Sequence, residues 1–229
     1  MSDAVAVLVH GAGHTSAVWD STCQWLRHRS VAVDIPGRSD RWADIGTVTV
    51  AQAAESIADD LVDLNDHELV LVGHSIGGVL LPSISARLGH RVRQLVFVAG
   101  LSAAEDELPV EVFMPGGTER LQAMLEDLRG EHRGLCFEEL PPKMASAIDS
   151  LNFTCQPMRW AEIPKDVPRT SVRCLRDPIQ SREVQARLAE RCGASHVIDI
   201  DTGHTPAIDA PGLLAAVLDD IIDRGTAQP

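Results

Sequence analysis

Residues 69–78 read Leu-Val-Leu-Val-Gly-His-Ser-Ile-Gly-Gly, an apolar run that stops at a serine with glycines two positions before and two after it. Leu69 to Val72 has the length and unbroken apolarity of a strand buried on both faces of a parallel sheet, and a helical stretch begins near Gly77. Gly73-His74-Ser75-Ile76-Gly77 therefore fits G-x-S-x-G placed between strand and helix. A serine in so tight a turn takes unfavourable backbone angles, and the glycines keep side chains from colliding with the adjoining strand and helix. The blander reading, a glycine-rich turn with an incidental serine, ignores the strand and helix that flank it.

Working outward, Ala4 to Val9 and Leu95 to Val98 are further apolar runs of strand length, with weaker candidates at Val31 to Ile35, Ser171 to Leu175 and His196 to Ile200. Amphipathic segments lie between them. From Thr49 to Asn65, Val50, Ala53, Ala54, Ile57, Ala58 and Leu61 recur at helical spacing opposite Gln52, Glu55, Asp59 and Asp63. Ser181 to Cys192 and the segment carrying Leu213, Leu214, Val217, Leu218, Ile221 and Ile222 complete about six strand–helix units. This alternation predicts a doubly wound, mostly parallel six-stranded α/β sheet. It breaks between Leu101 and Val167, where six prolines, with Pro168 just after, punctuate two helical candidates, Thr118 to Arg129 and Glu138 to Leu151. Residues 101–167 read as an inserted helical cap on a core of residues 1–100 and 168–229, and Thr226 to Pro229 as a loose tail.

An unactivated hydroxyl is a poor nucleophile, so Ser75 needs a base and a carboxylate to orient it. His204 lies in Asp201-Thr202-Gly203-His204-Thr205-Pro206, directly after the last predicted strand, and Asp177 in Leu175-Arg176-Asp177-Pro178, just past the strand before. Their order along the chain, each at the end of its own strand, makes His204 the candidate base and Asp177 the candidate acid. Asp106 is the rival acid, while Asp199 and Asp201 are too near His204 in sequence and read as capping or solvent-facing residues. Acyl transfer builds negative charge on a carbonyl oxygen, and two backbone N–H groups can stabilise it. Ala12, in the glycine-flanked turn His10-Gly11-Ala12-Gly13-His14, and Ile76 are assigned that role, and Gly11 lets the backbone approach the substrate. His10 and His14 leave a strand through glycines, not along a helix, so a metal site is not expected there, nor any cofactor.

The segments His10 to His14 with Trp19, Asp34-Ile35-Pro36-Gly37, Gly73 to Gly78 and Gly203 to Pro206 together resemble the α/β-hydrolase superfamily. They are similar to its compact branch of plant methylesterases, hydroxynitrile lyases and small bacterial esterases, and the likeness spans nearly the whole chain. The resemblance implies a Ser75, His204, Asp177 triad under a helical cap. Where the lyases carry Thr after the first His this chain has Gly11, and where they carry Lys after the triad His it has Thr205. Loss of that ammonium favours the hydrolase side of the branch. A serine hydrolase of small to medium uncharged esters, thioesters or lactones is expected; the alternatives are a lyase or C–C bond hydrolase on the same fold, or a non-catalytic binding protein.

The balance of the chain narrows the partners. Against 33 Asp and Glu stand 20 Lys and Arg in 229 residues, a net charge of −13 that repels nucleic acid and anionic lipid surfaces. No apolar run reaches the ~18–20 residues of a membrane span, and Asp3 stands where a signal peptide would be basic. Five cysteines, odd in number and without a CxxC pair, read as reduced thiols in a cytoplasmic monomer or homodimer. A dinucleotide site at Gly11-Ala12-Gly13 with Asp34 fails at its third glycine, which is Ser16. Within the cap, Phe113, Met158 and Trp160, with His74 from the elbow, are candidate substrate contacts. With no Tyr, four Phe and four Trp in the chain, the pocket is expected to be aliphatic.

Overall fold

Six strands, β1 (Val5–Val9), β2 (Ser30–Val33), β3 (Leu69–His74), β4 (Val92–Val98), β5 (Arg169–Cys174) and β6 (His196–Ile200), pair in parallel in the order β2-β1-β3-β4-β5-β6. This computed structural model describes residues 4–38, 41–161, 163 and 166–225; the readings of Asp3 and of the tail from Thr226 fall outside them. The central strands β1 and β3 are buried at every residue, which is why they read as continuous apolar runs instead of alternating ones. Alternation assigns their side chains to two interiors. Val5, Val7, Val9, Leu69 and Leu71 face one way, and Ala4, Ala6, Leu8, Val70 and Val72 the other.

Helices cover both faces. On the first lie α2 (Val50–Asp60), α3 (Gly77–Leu88) and α7 (Arg182–Arg191). On the second lie α1 (Asp20–Trp25), α8 (Pro206–Asp209) and α9 (Pro211–Gly225), the last burying Leu214, Leu218, Ile221 and Ile222. Helix α2 starts where its chemistry dictates: Thr49 Oγ1 accepts from Gln52 N–H at 3.1 Å, and Gln52 Oε1 accepts from Thr49 N–H at 2.9 Å.

Between β4 and β5 run α4 (Pro109–Phe113), α5 (Thr118–Glu131) and α6 (Pro142–Thr154). The expected start of the last of these at Glu138 is corrected to Pro142. Two consecutive prolines, lacking N–H donors and crowding the preceding turn, break a helix begun at Glu138, so Phe137–Glu139 forms a separate 3-10 turn and Pro142 takes the first helical position. Asn152 ties α6 to the loop before α2 by donating to the carbonyls of Ile45 at 3.1 Å and Val48 at 2.7 Å. Among the described residues no helix is long and apolar enough to cross a membrane.

Candidate active site

Ser75 ends β3 with φ of +50°, a left-handed conformation that side chains rarely adopt. The turn is crowded enough to demand both flanking glycines. A Cβ on Gly73 would meet the Gly77 backbone at 2.7 Å, and one on Gly77 would meet the His10 carbonyl at 2.7 Å. The structure brings the three residues chosen from sequence together: His204 Nε2 lies 3.1 Å from Ser75 Oγ, and His204 Nδ1 lies 2.6 Å from Asp177 Oδ2. The other oxygen, Oδ1, accepts from the N–H groups of Ile179 at 2.7 Å and Gln180 at 3.0 Å. Burial opposes ionisation of Asp177, yet the His204 contact and these N–H donors hold its carboxyl below the usual range. The rival Asp106 is solvent-exposed and paired with Arg159. Asp199 and Asp201 pair with Arg173 and Arg176 on the surface.

Behind the serine, His74 donates from Nε2 to the His204 carbonyl at 2.8 Å, so it holds the backbone of the candidate base. Its Nδ1 is buried without a hydrogen-bond partner among the described residues. Burial, with His204 nearby, drives its pKa down to about 3, and the ring is neutral. Gly11 passes directly over it, where a Cβ would sit 2.7 Å from Nδ1.

The turn after β1 is held from three sides. His10 bonds the Gly11 carbonyl through Nδ1 at 2.9 Å and accepts from Ile35 N–H at 3.1 Å. Arg38 Nε donates to the His14 carbonyl at 2.8 Å, and Gly13 N–H donates to Asp149 Oδ2 at 3.2 Å. Arg38 and Asp149 also pair with each other, both side chains at 0% exposure. Asp149 comes from α6, so a buried ion pair joins the inserted segment to the turn that carries Ala12. The N–H groups of Ala12 and Ile76 have no acceptor among the described residues. In front of Ser75 opens a cavity of about 470 Å³, bounded by Ala12, His14, His74, His204 and Thr205 on the sheet side and by Lys143, Ser146, Ala147 and Ser150 of α6 opposite.

The sequence profile of the alpha/beta hydrolase family matches residues 6–217. The chain belongs to that family. Methylesterase 2 of Arabidopsis thaliana is 27% identical over 95% of both chains, and a pyrethroid hydrolase of Sphingobium wenxiniae is 22% identical over 95% of this chain and 87% of its own. An extracellular alpha/beta-hydrolase from a Paenibacillus species superposes with a TM-score of 0.75 at 19% identity, over 94% of this chain and 98% of that one.

In this alpha/beta hydrolase three expected substrate contacts lie elsewhere. Trp160 donates from Nε1 to the Ala103 carbonyl at 2.9 Å, and its ring sits beneath the Arg169 guanidinium at 4.0 Å. Met158 is buried and exchanges backbone hydrogen bonds with Asp106 and Glu107. Phe113 packs on the same interior. Their bulk packs the segment between β4 and β5 against the sheet; the wall facing Ser75 is formed by Lys143, Ser146, Ala147 and Ser150 of α6. Ala12, Ala147 and Ile179 keep part of the lining apolar beside the polar groups of Lys143, Ser146 and Ser150. Asp149 was legible: with Ala145, Ile148 and Asn152 it falls on the buried stripe of α6, where a carboxylate requires a partner. Lys143 carries no comparable signal, since an exposed helical lysine is ordinary.

Proposed function

We propose that this hydrolase cleaves a small to medium carboxylic ester through an acyl-Ser75 intermediate; thioesters and lactones present the same carbonyl to the same groups. The observation that carries the reading is the unbroken relay from Ser75 Oγ through His204 to Asp177. Ser75 Oγ attacks the carbonyl carbon while His204 Nε2 takes its proton, and Asp177 keeps Nδ1 protonated and offsets the imidazolium charge. The oxyanion accepts from the N–H groups of Ala12 and Ile76. His204 returns the proton to the departing alkoxide, then activates the water that frees the acid. Nucleophile, base and oxyanion donors all come from the chain, so no metal or cofactor takes part. Residues 101–167 act as the cap of a core formed by residues 1–100 and 168–229, and the enzyme works in the cytoplasm as a monomer or homodimer on a small molecule.

Incubation with an organophosphonate and mapping of the adduct by mass spectrometry tests the nucleophile. Ser75 is labelled and Ser75→Ala is not; an adduct at another residue removes the assignment. Hydroxynitrile cleavage is a second reading with one observation in its favour. Thr205 stands where the lyases carry lysine, but Lys143 brings an ammonium to the cavity from α6. Cyanide release from mandelonitrile is expected to stay at background.

A further inference from the structure

Lys143, Ser146, Ala147 and Ser150 fall at helical spacing on one face of α6, and that face is the wall opposite Ser75. The wall is set close to the reacting groups: a Cβ on Gly13, next to Ala12, would lie 2.9 Å from Ser146 Cβ. Lys143 stands one turn nearer the start of α6, about 4.5 Å along the axis, with its exposed stem reaching the cavity rim. Although the chain has 33 Asp and Glu residues, none of the described residues lining this cavity is acidic; their charged or titratable members are Lys143 and three histidines. Nor does Lys143 form an ion pair with any carboxylate among the described residues. The result is a cation without a carboxylate partner among the described residues, on the same helix face as the Ser146 hydroxyl and on the wall opposite the candidate nucleophile.

Resting on the ester-hydrolase reading above, we propose that the ester turned over at Ser75 carries a free carboxylate, held by the Lys143 ammonium and the Ser146 hydroxyl one turn along α6. One ammonium balances one negative charge, and the acidic surroundings oppose a second, which selects a carboxylate over a phosphate dianion. Hydrolysis of such a half-ester breaks the acyl C–O bond; the water hydroxyl goes to the acyl carbon and its proton to the leaving alkoxide, giving a dicarboxylic acid and an alcohol.

The test compares monomethyl succinate, glutarate and adipate with their dimethyl esters, corrected for the two equivalent ester groups of each diester. The wild-type enzyme is expected to prefer the half-esters in kcat/KM by roughly tenfold or more. Lys143→Ala brings that ratio near one, Lys143→Glu takes it below one, and Lys143→Arg retains it. Equal turnover of half-ester and diester by the wild type overturns the proposal. So does a ratio unmoved in a Lys143→Ala protein with wild-type thermal unfolding. Hydrolysis of p-nitrophenyl acetate, compared with Ser75→Ala, reports separately on the underlying reading. If that activity is present and depends on Ser75, a missing charge preference counts against the anion site alone; if it is absent, the ester-hydrolase reading itself fails.

Discussion

In the proposed reaction a single carboxylate decides whether His204 presents the correct nitrogen to Ser75. Asp177 spends one oxygen on His204 and the other on two backbone N–H groups, so its geometry is fixed before substrate arrives. Asp177→Asn is expected to lower kcat by up to roughly 10⁴-fold while leaving thermal unfolding near wild type. Asp106→Asn changes little, because that side chain is exposed and its partner is a surface arginine. Steady-state kinetics on any turned-over p-nitrophenyl ester separates the two, and a larger loss for Asp106→Asn would move the acid. Gly11 provides a second check at this scale. Its Cβ would press on His74 at 2.7 Å and on Ser75 Cβ at 3.1 Å, so Gly11→Ala displaces the nucleophile and is expected to cost on the order of 10²-fold in kcat/KM. Wild-type kinetics in that variant would show that the turn yields without moving Ser75.

Among the elements, α6 does more than roof the cavity. Its Asp149 accepts from Gly13 N–H and neutralises Arg38, which in turn holds the His14 carbonyl, so the turn bearing Ala12 is positioned by a helix more than 130 residues away in sequence. Asp149→Asn leaves the Arg38 guanidinium buried without its counter-charge, a change expected to remove about 3–5 kcal/mol of stability. Replacing both partners, as Arg38→Met with Asp149→Leu, removes the stranded charge and restores most of the melting temperature. It does not restore the acceptor for Gly13 N–H, and kcat is expected to stay low. Full recovery of kcat together with stability in the double variant would mean that the pair serves folding only.

For the molecule as a whole, buried neutral histidines set the response to acid. The ordinary pKa of His74 is 6.5 and its folded value about 3, so below about pH 6.5 the unfolded chain binds a proton that the folded one refuses. The stability it contributes is complete above that pH and falls as pH drops, by about 1.4 kcal/mol per unit until the folded value is reached. Burial lowers His10 and His14 in the same direction. Asp149, whose carboxyl burial pushes up, works in the opposite sense. Urea unfolding between pH 7 and pH 4.5 is expected to show steadily falling stability, and His74→Asn to flatten that slope. An unchanged slope in the variant would place the proton uptake elsewhere.

Periodicity and local turn chemistry decided the parallel sheet, because the central strands, buried on both faces, are apolar runs, and several helix starts carry a side-chain cap (α2, α7) or a proline (α4, α6, α8). The elbow was equally legible, since only glycine fits the contacts at positions 73 and 77. The candidates Ser75, Asp177 and His204 could be named from chain order alone, as each follows a strand of one parallel sheet and so emerges at the same edge. Sequence ranked Asp177 ahead of Asp106 by its place just past a strand, and the tertiary structure supplied the contact: Asp177 lies 2.6 Å from His204 while Asp106 pairs with Arg159 on the surface. It also decided the cavity wall. Apolar bulk in an inserted segment can face the sheet or the substrate, and here Phe113, Met158 and Trp160 went to the sheet, where they bury most area, leaving Lys143 and the serines of α6 to face Ser75.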